Sequence, residues 1–295
     1  MSTTFVAVAE LLRVGPWALR ALGFSFGVAE RGSVIVTLAE VLHRDGLRTL
    51  RVRNDTIRRG AAVTSTRVNT GPGALKIDAS GKSLIEVGPA AIDLAASATA
   101  RHDFARLTIE GIPDPEFLPS VLSLAPAYGL TAMAVFRGLD SPDGDDASRT
   151  SWIIAAPSPS GAMLFEGPAD DSAALGLLAN HMDIPPAAAR PLQFALQNAA
   201  GRRRDAPGDA IELIAIANLQ AATICQALGS DVSAIDVKSA LDRACRDGIA
   251  SASVDVAHLY ELEKETWAPT SERSRAQAGF QASLGGHAKP RTAAP

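Results

Sequence analysis

Residues 74–136 read ALKIDASGKSLIEVGPAAIDLAASATARHDFARLTIEGIPDPEFLPSVLSLAPAYGLTAMAVF, and the hydrophobic period changes several times along them. Ala74 to Asp78 has the length and apolar content of a short strand. Pro89 stands where a first helical position would be, and the Ala-rich stretch to Ala100 predicts a helix behind it. Phe104 to Glu110 alternates apolar and polar side chains, as a half-buried strand does. Asp114 to Ala127 reads as a helix carrying Pro115 and Pro119 near its start, and Leu130 to Phe136 is a continuous apolar run suited to a buried strand. Strand, helix, strand, helix, strand is the order of an α/β architecture in which helices cover a sheet.

Toward the N-terminus the first fifty residues read as helical. Val6, Leu11, Leu12, Trp17, Leu19 and Leu22 recur at helical spacing, with Gly15-Pro16 marking a break or kink. A second helix follows, capped by Ser25, with Ala29, Ile35, Leu38 and Leu42 as its apolar stripe and Gly46 where a helix end commonly needs a left-handed residue. Beyond Gly46 the period becomes two: Leu50 and Val52 face inward and Arg51 and Arg53 outward, which predicts a strand. Arg44, Arg48, Arg51, Arg53, Arg58 and Arg59 make this segment basic. Two readings stand, a solvated strand face and a site for an anionic substrate or cofactor phosphate, since arginine presents a bidentate fork.

Toward the C-terminus, residues 137 to 149 are rich in Gly, Asp, Ser and Pro and mark an exposed loop or module boundary. Strands are predicted at Trp152 to Ala156 and Ala162 to Glu166, joined by a turn through Pro157, Pro159 and Gly161. Asp170 and Asp171 open a helix, and further helices are read at about 187–199, 209–228, 234–247 and 254–266, with Arg202, Arg203 and Arg204 in a loop. The organisation expected is a helical N-terminal segment over 1–50, an α/β body over 51–280 with a helical C-terminal part, and a disordered tail over 281–295.

Composition narrows the function. Lys and Arg number 28 against 32 Asp and Glu, giving a net charge of -4, so there is no global basic field for a polyanion and no nucleic-acid partner is expected. The charge-free stretches Phe117 to Phe136 and Leu213 to Ser230 contain Pro119, Pro126 and Gly129, or Asn218, Gln220 and Gln226, and suit a protein interior better than a membrane. The N-terminal apolar run Phe5 to Ala9 has no preceding positive region, so a cytoplasmic location is expected. Cys225 and Cys245 match no zinc or redox spacing and read as reduced core thiols.

Motif chemistry is mostly negative. There is no phosphate loop, nucleophile elbow, H-E-x-x-H or C-x-x-C, and Gly71 and Gly73 make only a turn, because Lys76 falls where a third glycine would be required. His43, His102, His181, His258 and His287 are scattered, so no metal site is expected. Asp140, Asp143, Asp145 and Asp146 lack the glycine and terminal glutamate of a calcium loop and read as solvated. The sharpest cluster is Val41-Leu42-His43-Arg44-Asp45-Gly46, followed by Arg48. It reads either as acid/base machinery beside an anionic substrate or as a helix end whose His43 and Arg44 complement the dipole.

Two segments resemble a bacterial family of unknown function. Arg20-Ala21-Leu22-Gly23-Phe24-Ser25-Phe26-Gly27-Val28-Ala29-Glu30 is similar to its Ala-Arg-Gly-x-Gly and Trp-Gly-x-Ala-Glu-Glu pattern, with Phe26 for Trp and Arg31 for the second Glu. Thr266-Trp267-Ala268-Pro269-Thr270-Ser271-Glu272-Arg273-Ser274-Arg275 resembles its Thr-Tyr-x-Pro-x-x-Glu-x-Ser-Arg, while the Gly-rich run that would follow is reduced to Ala278-Gly279. Glu272 and Arg275 have two readings, a ligand clamp or subunit contact and an i,i+3 ion pair closing a helix. Trp267 reads as a packing anchor.

The stretch His43 to Phe136 also resembles the malate/L-lactate/ureidoglycolate dehydrogenase family. The likeness runs through Asp45-Gly46-Leu47-Arg48-Thr49-Leu50, Ile77-Asp78-Ala79-Ser80-Gly81, the helix after Pro89, Phe104 to Glu110 and Tyr128-Gly129-Leu130. It implies a non-Rossmann fold with a mixed sheet, an NAD or NADP cofactor and a dimer. The catalytic histidine of that family's Ser-His-Gly motif falls on Asp45, with His43 two residues earlier, and its following Arg falls on Thr49 beside Arg48. Its Asn-Ser-x-His motif is replaced by Gly111-Ile112-Pro113-Asp114-Pro115. Aspartate is ordinarily ionised at neutral pH and cannot simply replace an imidazole as proton donor to a carbonyl. The expectation is therefore an accessory, non-catalytic subunit that pairs with itself or with an active dehydrogenase paralogue. The alternative is an NAD(P)-dependent oxidoreductase on a small hydroxy, oxo or imino acid. In it His43 or Asp45 serves as acid/base and Arg48, Arg51, Glu272 and Arg275 bind a small anionic substrate.

Overall fold

A computed structural model describes residues 2–137, 150–168, 210–228 and 232–267. The alternation along FARLTIE is realised as β4 (Phe104–Glu110), with Ala105, Leu107 and Ile109 buried on one face of the sheet. β4 is preceded by a hairpin of β2 (Thr66–Gly71) and β3 (Ala74–Asp78) and by helix α4 (Leu84–His102), which carries the chain from β3 to β4. β3 and β4 are consequently parallel, whereas every other neighbour in the sheet is antiparallel. The remaining strands are β5 (Leu130–Arg137), β6 (Thr150–Ser158), β7 (Gly161–Pro168), β8 (Ile211–Ala217) and β9 (Ser233–Asp236). The eight-stranded mixed sheet has the order β2-β3-β4-β8-β5-β6-β7-β9. A separate two-stranded ribbon pairs β1 (Thr3–Val6) with β10 (Ile249–Ala252).

Period-two alternation gives the sheet two apolar faces. Leu107, Ala132, Ile153 and Leu213 belong to one core, shared with α1 (Val8–Ala21), α2 (Phe26–His43), α3 (Gly46–Gly60), α4 and α5 (Leu118–Leu122). Met133, Trp152, Ile154, Phe165, Ile214 and Ile216 form a second core on the other face, against α6 (Ala221–Leu228). Helices α7 (Val237–Asp247) and α8 (Ser253–Trp267) complete the eight helices among the described residues, and α8 packs along α1. Deleting one such buried aliphatic side chain costs about 2–5 kcal/mol, so both faces are strongly specified.

Several expectations are corrected. The segment after Gly46 is not a strand but helix α3: Leu47, Leu50 and Ile57 are buried at helical spacing while Val52 is 59% exposed. Arginine is a good helix former, and a four-residue window could not separate the two periods. The left-handed residue ending α2 is Arg44 (φ 62), not Gly46. Gly46 is needed for a different reason, because a β-carbon there would lie 2.2 Å from the Val36 carbonyl oxygen. α1 runs unbroken through Gly15-Pro16, and α4 begins at Leu84 with Ser83 as its cap, placing Pro89 inside the helix. Ser25 does stand at the N-cap of α2, without a side-chain bond. The stretch 114–127 is α5 between two short 3-10 turns, Pro115–Phe117 and Ala125–Tyr128, since Pro119 and Pro126 interrupt the ladder. The apolar run from 211 is strand β8 before it becomes helix, and residues 233–236 are strand β9. Cys225 and Cys245 are exposed, not core thiols. The helices read near 170 and over 187–199, the arginines at 202–204, and Glu272 and Arg275 lie outside the described residues.

Candidate functional site

The turn from α2 to α3 carries His43, Arg44, Asp45 and Arg48, and one buried carboxylate fixes it. Glu40, only 2% exposed, sits on the apolar face of α2 between Val36 and Leu47. Its Oε2 accepts the Leu47 amide at 2.9 Å, one of the free donors at the start of α3, and its Oε1 accepts the Ser251 hydroxyl of β10 at 2.5 Å. α2, α3 and the β1-β10 ribbon are thus tied through one side chain. Arg44, in its left-handed conformation, donates from Nη1 to the Ala250 carbonyl at 3.2 Å.

Around this pinned turn the charged groups are distributed in pairs. His43 Nε2 lies 2.8 Å from Glu166 Oε1 on β7, both side chains about a quarter exposed. Asp45 and Arg48 form a looser pair, 3.8 Å apart and nearly half exposed. Arg51 pairs with the buried Asp255 of α8, and Arg58 with Glu265 at 3.0 Å. Arg53 reaches Glu116 at 3.5 Å. The basic segment of the sequence is therefore a helix whose cations are turned mostly toward carboxylates of the chain itself.

The corner beside α3 is less complete. Burial pushes the Glu116 carboxyl above its ordinary pKa; its own backbone and Arg53 oppose this, and the nearby charge of Asp45 adds to it. Glu116 Oε2, Arg53 Nε and Asn54 Oδ1 are all buried without a hydrogen-bond partner. Asp114, two residues earlier, is wholly buried and pushed up to about 7, chiefly by burial. It accepts the Leu84 amide at 2.8 Å and a short bond from the Ser83 hydroxyl, and so caps α4 together with Ser83.

Of the residues singled out in the sequence, the structure brings His43, Asp45 and Arg48 to one turn and places Arg51 farther along α3 against α8. Glu40, Asp114, Glu116 and Glu166 escaped that reading. Glu40 had a local signal, a carboxylate on an otherwise apolar helical stripe. Glu166 had none, because only the pairing of β7 into the sheet brings it to α2.

A nicotinamide dinucleotide needs groups that receive its phosphates. Gly73 (φ 65) shapes the β2-β3 turn, where a β-carbon would meet the Phe104 carbonyl oxygen at 2.8 Å, so the G-x-G is occupied by the chain's own packing. Of the α3 arginines, Arg48, Arg51, Arg53 and Arg58 face carboxylates of the chain as above. Among the described residues no group of three or more His, Cys, Asp or Glu could hold a metal ion, and no helix is long and apolar enough to cross a membrane.

By sequence, neither a family model nor a curated protein matches the chain. By structure it resembles dehydrogenases. A malate dehydrogenase from Entamoeba histolytica superposes with a TM-score of 0.63 at 12% identity, over 91% of this chain and 99% of that one. A dehydrogenase from Sinorhizobium meliloti gives 0.64 at 15% identity, over 89% and 100%. A delta1-piperideine-2-carboxylate reductase from Pseudomonas syringae pv. tomato gives 0.56 at 15%, over 88% and 99%. The chain therefore has a mixed α/β fold similar to that of malate-type dehydrogenases. At this identity the likeness concerns the fold.

Proposed function

We propose that this chain is a non-catalytic member of the non-Rossmann malate/lactate dehydrogenase fold, an accessory subunit that pairs with itself or with an active dehydrogenase paralogue in the cytoplasm. One observation carries the reading. Asp45, where the resembled family keeps its proton-donating histidine, is a carboxylate held near Arg48. Ionised carboxylates have no proton to offer a developing alkoxide. The engagement of Arg51, Arg53 and Arg58 with carboxylates of the chain supports the same reading, because it occupies three of the groups that would take a cofactor phosphate or a substrate carboxylate. The test is a steady-state assay of the purified chain with NADH and NADPH against small 2-oxo and cyclic imino acids, beside sedimentation of the chain alone and mixed with a malate-type dehydrogenase from the same cell. No turnover, together with a discrete homo- or hetero-oligomer, is the expected result. Turnover that disappears in Asp45→Asn overturns it.

A second reading has its own observation, the 2.8 Å contact of His43 with Glu166. A carboxylate on one ring nitrogen orients an imidazole, and a positioned imidazole is the commonest acid/base group for proton transfer to a carbonyl. In this reading the chain is an NAD(P)-dependent oxidoreductase on a small hydroxy, oxo or imino acid. A bound nicotinamide would supply hydride chemistry, and His43 would hold the proton, with Arg48 assisting. Turnover in the assay above that is lost in both His43→Ala and Glu166→Gln would favour it; its persistence in His43→Ala removes the role.

A further inference from the structure

A cleft of about 290 Å³ opens between α2, α4 and the Leu124–Tyr128 segment. It is separate from the turn described above: Arg31, which lines it, precedes His43 by twelve helical residues, about 18 Å along α2 at ~1.5 Å per residue. Its walls are the side chains of Val34, Ile35, Pro89, Ile92, Leu124 and Ala127. The residues themselves explain the concavity. Ile35 and Ile92 are core positions, each 1% exposed, that form a floor, whereas Val34 is 43% exposed and stands at the rim. Pro89, inside α4, has no amide to bond, and the turn Ala125–Tyr128 leaves α5 without continuing its helix.

Three polar groups line the same cleft, and they are not equivalent. Tyr128 donates its hydroxyl to Asp93 Oδ1 at 2.6 Å. The Tyr128 hydroxyl is held above its ordinary pKa by Asp93, while Arg31 acts on it in the opposite sense, which places the guanidinium near this pair. Arg31 itself makes no hydrogen bond or ion pair among the described residues. Asp93 already receives the Tyr128 hydroxyl, whereas the Arg31 guanidinium keeps donors without a hydrogen-bond partner among the described residues, so the cleft pairs an apolar surface with donors suited to one carboxylate. The size agrees: a cavity of about 150 Å³ holds benzene, so this cleft admits a ring with a short acidic arm.

We propose that this cleft is a binding site for a small amphipathic monocarboxylic acid, aromatic or branched aliphatic. Its carboxylate pairs with Arg31, and its apolar part lies on Ile35, Pro89 and Ile92. Asp93 and Tyr128 line the same cleft, and the Asp93 carboxylate disfavours a second negative charge on the acid. The site is independent of whether the α2–α3 turn is catalytic.

Isothermal titration of the full chain with phenylacetate tests the proposal, with phenylacetamide and phenylsuccinate as probes of charge. Saturable one-to-one binding of phenylacetate is expected, at least tenfold weaker for the neutral amide and for the dianion. Arg31→Gln should weaken phenylacetate at least tenfold and leave the amide unchanged, and Val34→Trp, a rim substitution at an exposed position, should abolish both. Arg20→Gln, whose guanidinium lies instead over the Phe26 ring at 5.7 Å, should change nothing. Circular dichroism and the thermal midpoint of each variant establish that it is folded. Absence of saturable binding, equal affinity for acid and amide, or equal effects of Arg20→Gln and Arg31→Gln overturns the proposal.

Discussion

Glu40 and Glu116 both act on helix α3, and their surroundings differ in one respect. Both oxygens of Glu40 accept hydrogen bonds, from Leu47 and from Ser251. Glu116 has one oxygen toward Arg53 and the other buried with no partner, and Arg53 Nε is in the same condition. Buried polar groups are normally matched, so the first arrangement supports structure and the second leaves capacity unused. The lesson is that the α2–α3 turn is held rigid from the Glu40 side, while the corner facing Glu116 retains groups that can respond to protons or to a bound molecule.

The sharpest way to break this contrast is Glu40→Ala. It strips the Leu47 amide and the Ser251 hydroxyl of their acceptor in a dry interior, and should lower unfolding free energy by about 3 kcal/mol, read by urea titration. Glu40→Gln, which keeps an acceptor, should recover more than half of that. Gly46→Ala comes next. Its β-carbon would press on the Val36 carbonyl, and a loss of about 2 kcal/mol is expected without change in the urea slope.

The third test concerns pH. Asp114 has a folded pKa of about 7, above the ordinary carboxyl value of 3.8, and Glu116 is raised as well. The folded state therefore binds more protons than the unfolded state between those limits. The stabilisation is fully present below about pH 4 and is lost as pH rises through 7. Glu10, held at about 2 chiefly by Arg13 and then Tyr260, works in the other direction and loses its contribution as pH falls toward 2. Asp114→Asn keeps the neutral hydrogen bonds and should flatten the fall of urea midpoint between pH 5 and 7.5, the residual slope belonging to Glu116. An unchanged slope would show that Asp114 is not the responsible group. The smallest effect is His43→Ala: the pair with Glu166 is partly exposed, so less than about 1 kcal/mol of stability should be lost. A larger loss would mean that the His43 side of the turn is as firmly built as the Glu40 side.

Much of this was legible in the chain. Phe104–Glu110 was readable because alternation over seven residues has one interpretation on a pleated surface, and Ala74–Asp78 and the strands around 152–156 and 162–166 because short apolar runs bounded by turn residues suit buried strands. Leu50 to Arg53 was misread because four residues fit both periods, and only Ile57, a full turn beyond, separates them. The strand at Ile211–Ala217 was hidden in a longer apolar stretch, where a run buried on both sides carries no period at all. Within the site, His43, Asp45 and Arg48 were legible from their crowding at one helix end. Glu166 and Glu116 were not, since their partners lie 123 and 63 positions away and only sheet pairing and helix packing join them.

The β1-β10 ribbon has a consequence for the order in which the chain matures. Thr3–Val6 pairs with residues 249–252, and α1 packs along α8. During synthesis the first helix therefore waits for nearly the whole chain, roughly 12–50 s at about 5–20 residues per second, before its partner leaves the ribosome. Throughout that interval Leu11, Leu19 and Leu22 lack part of their eventual cover. Contacts of such long separation also slow refolding. The apolar face of α1 is thus among the last surfaces of the fold to be covered, and its burial coincides with closure of the ribbon.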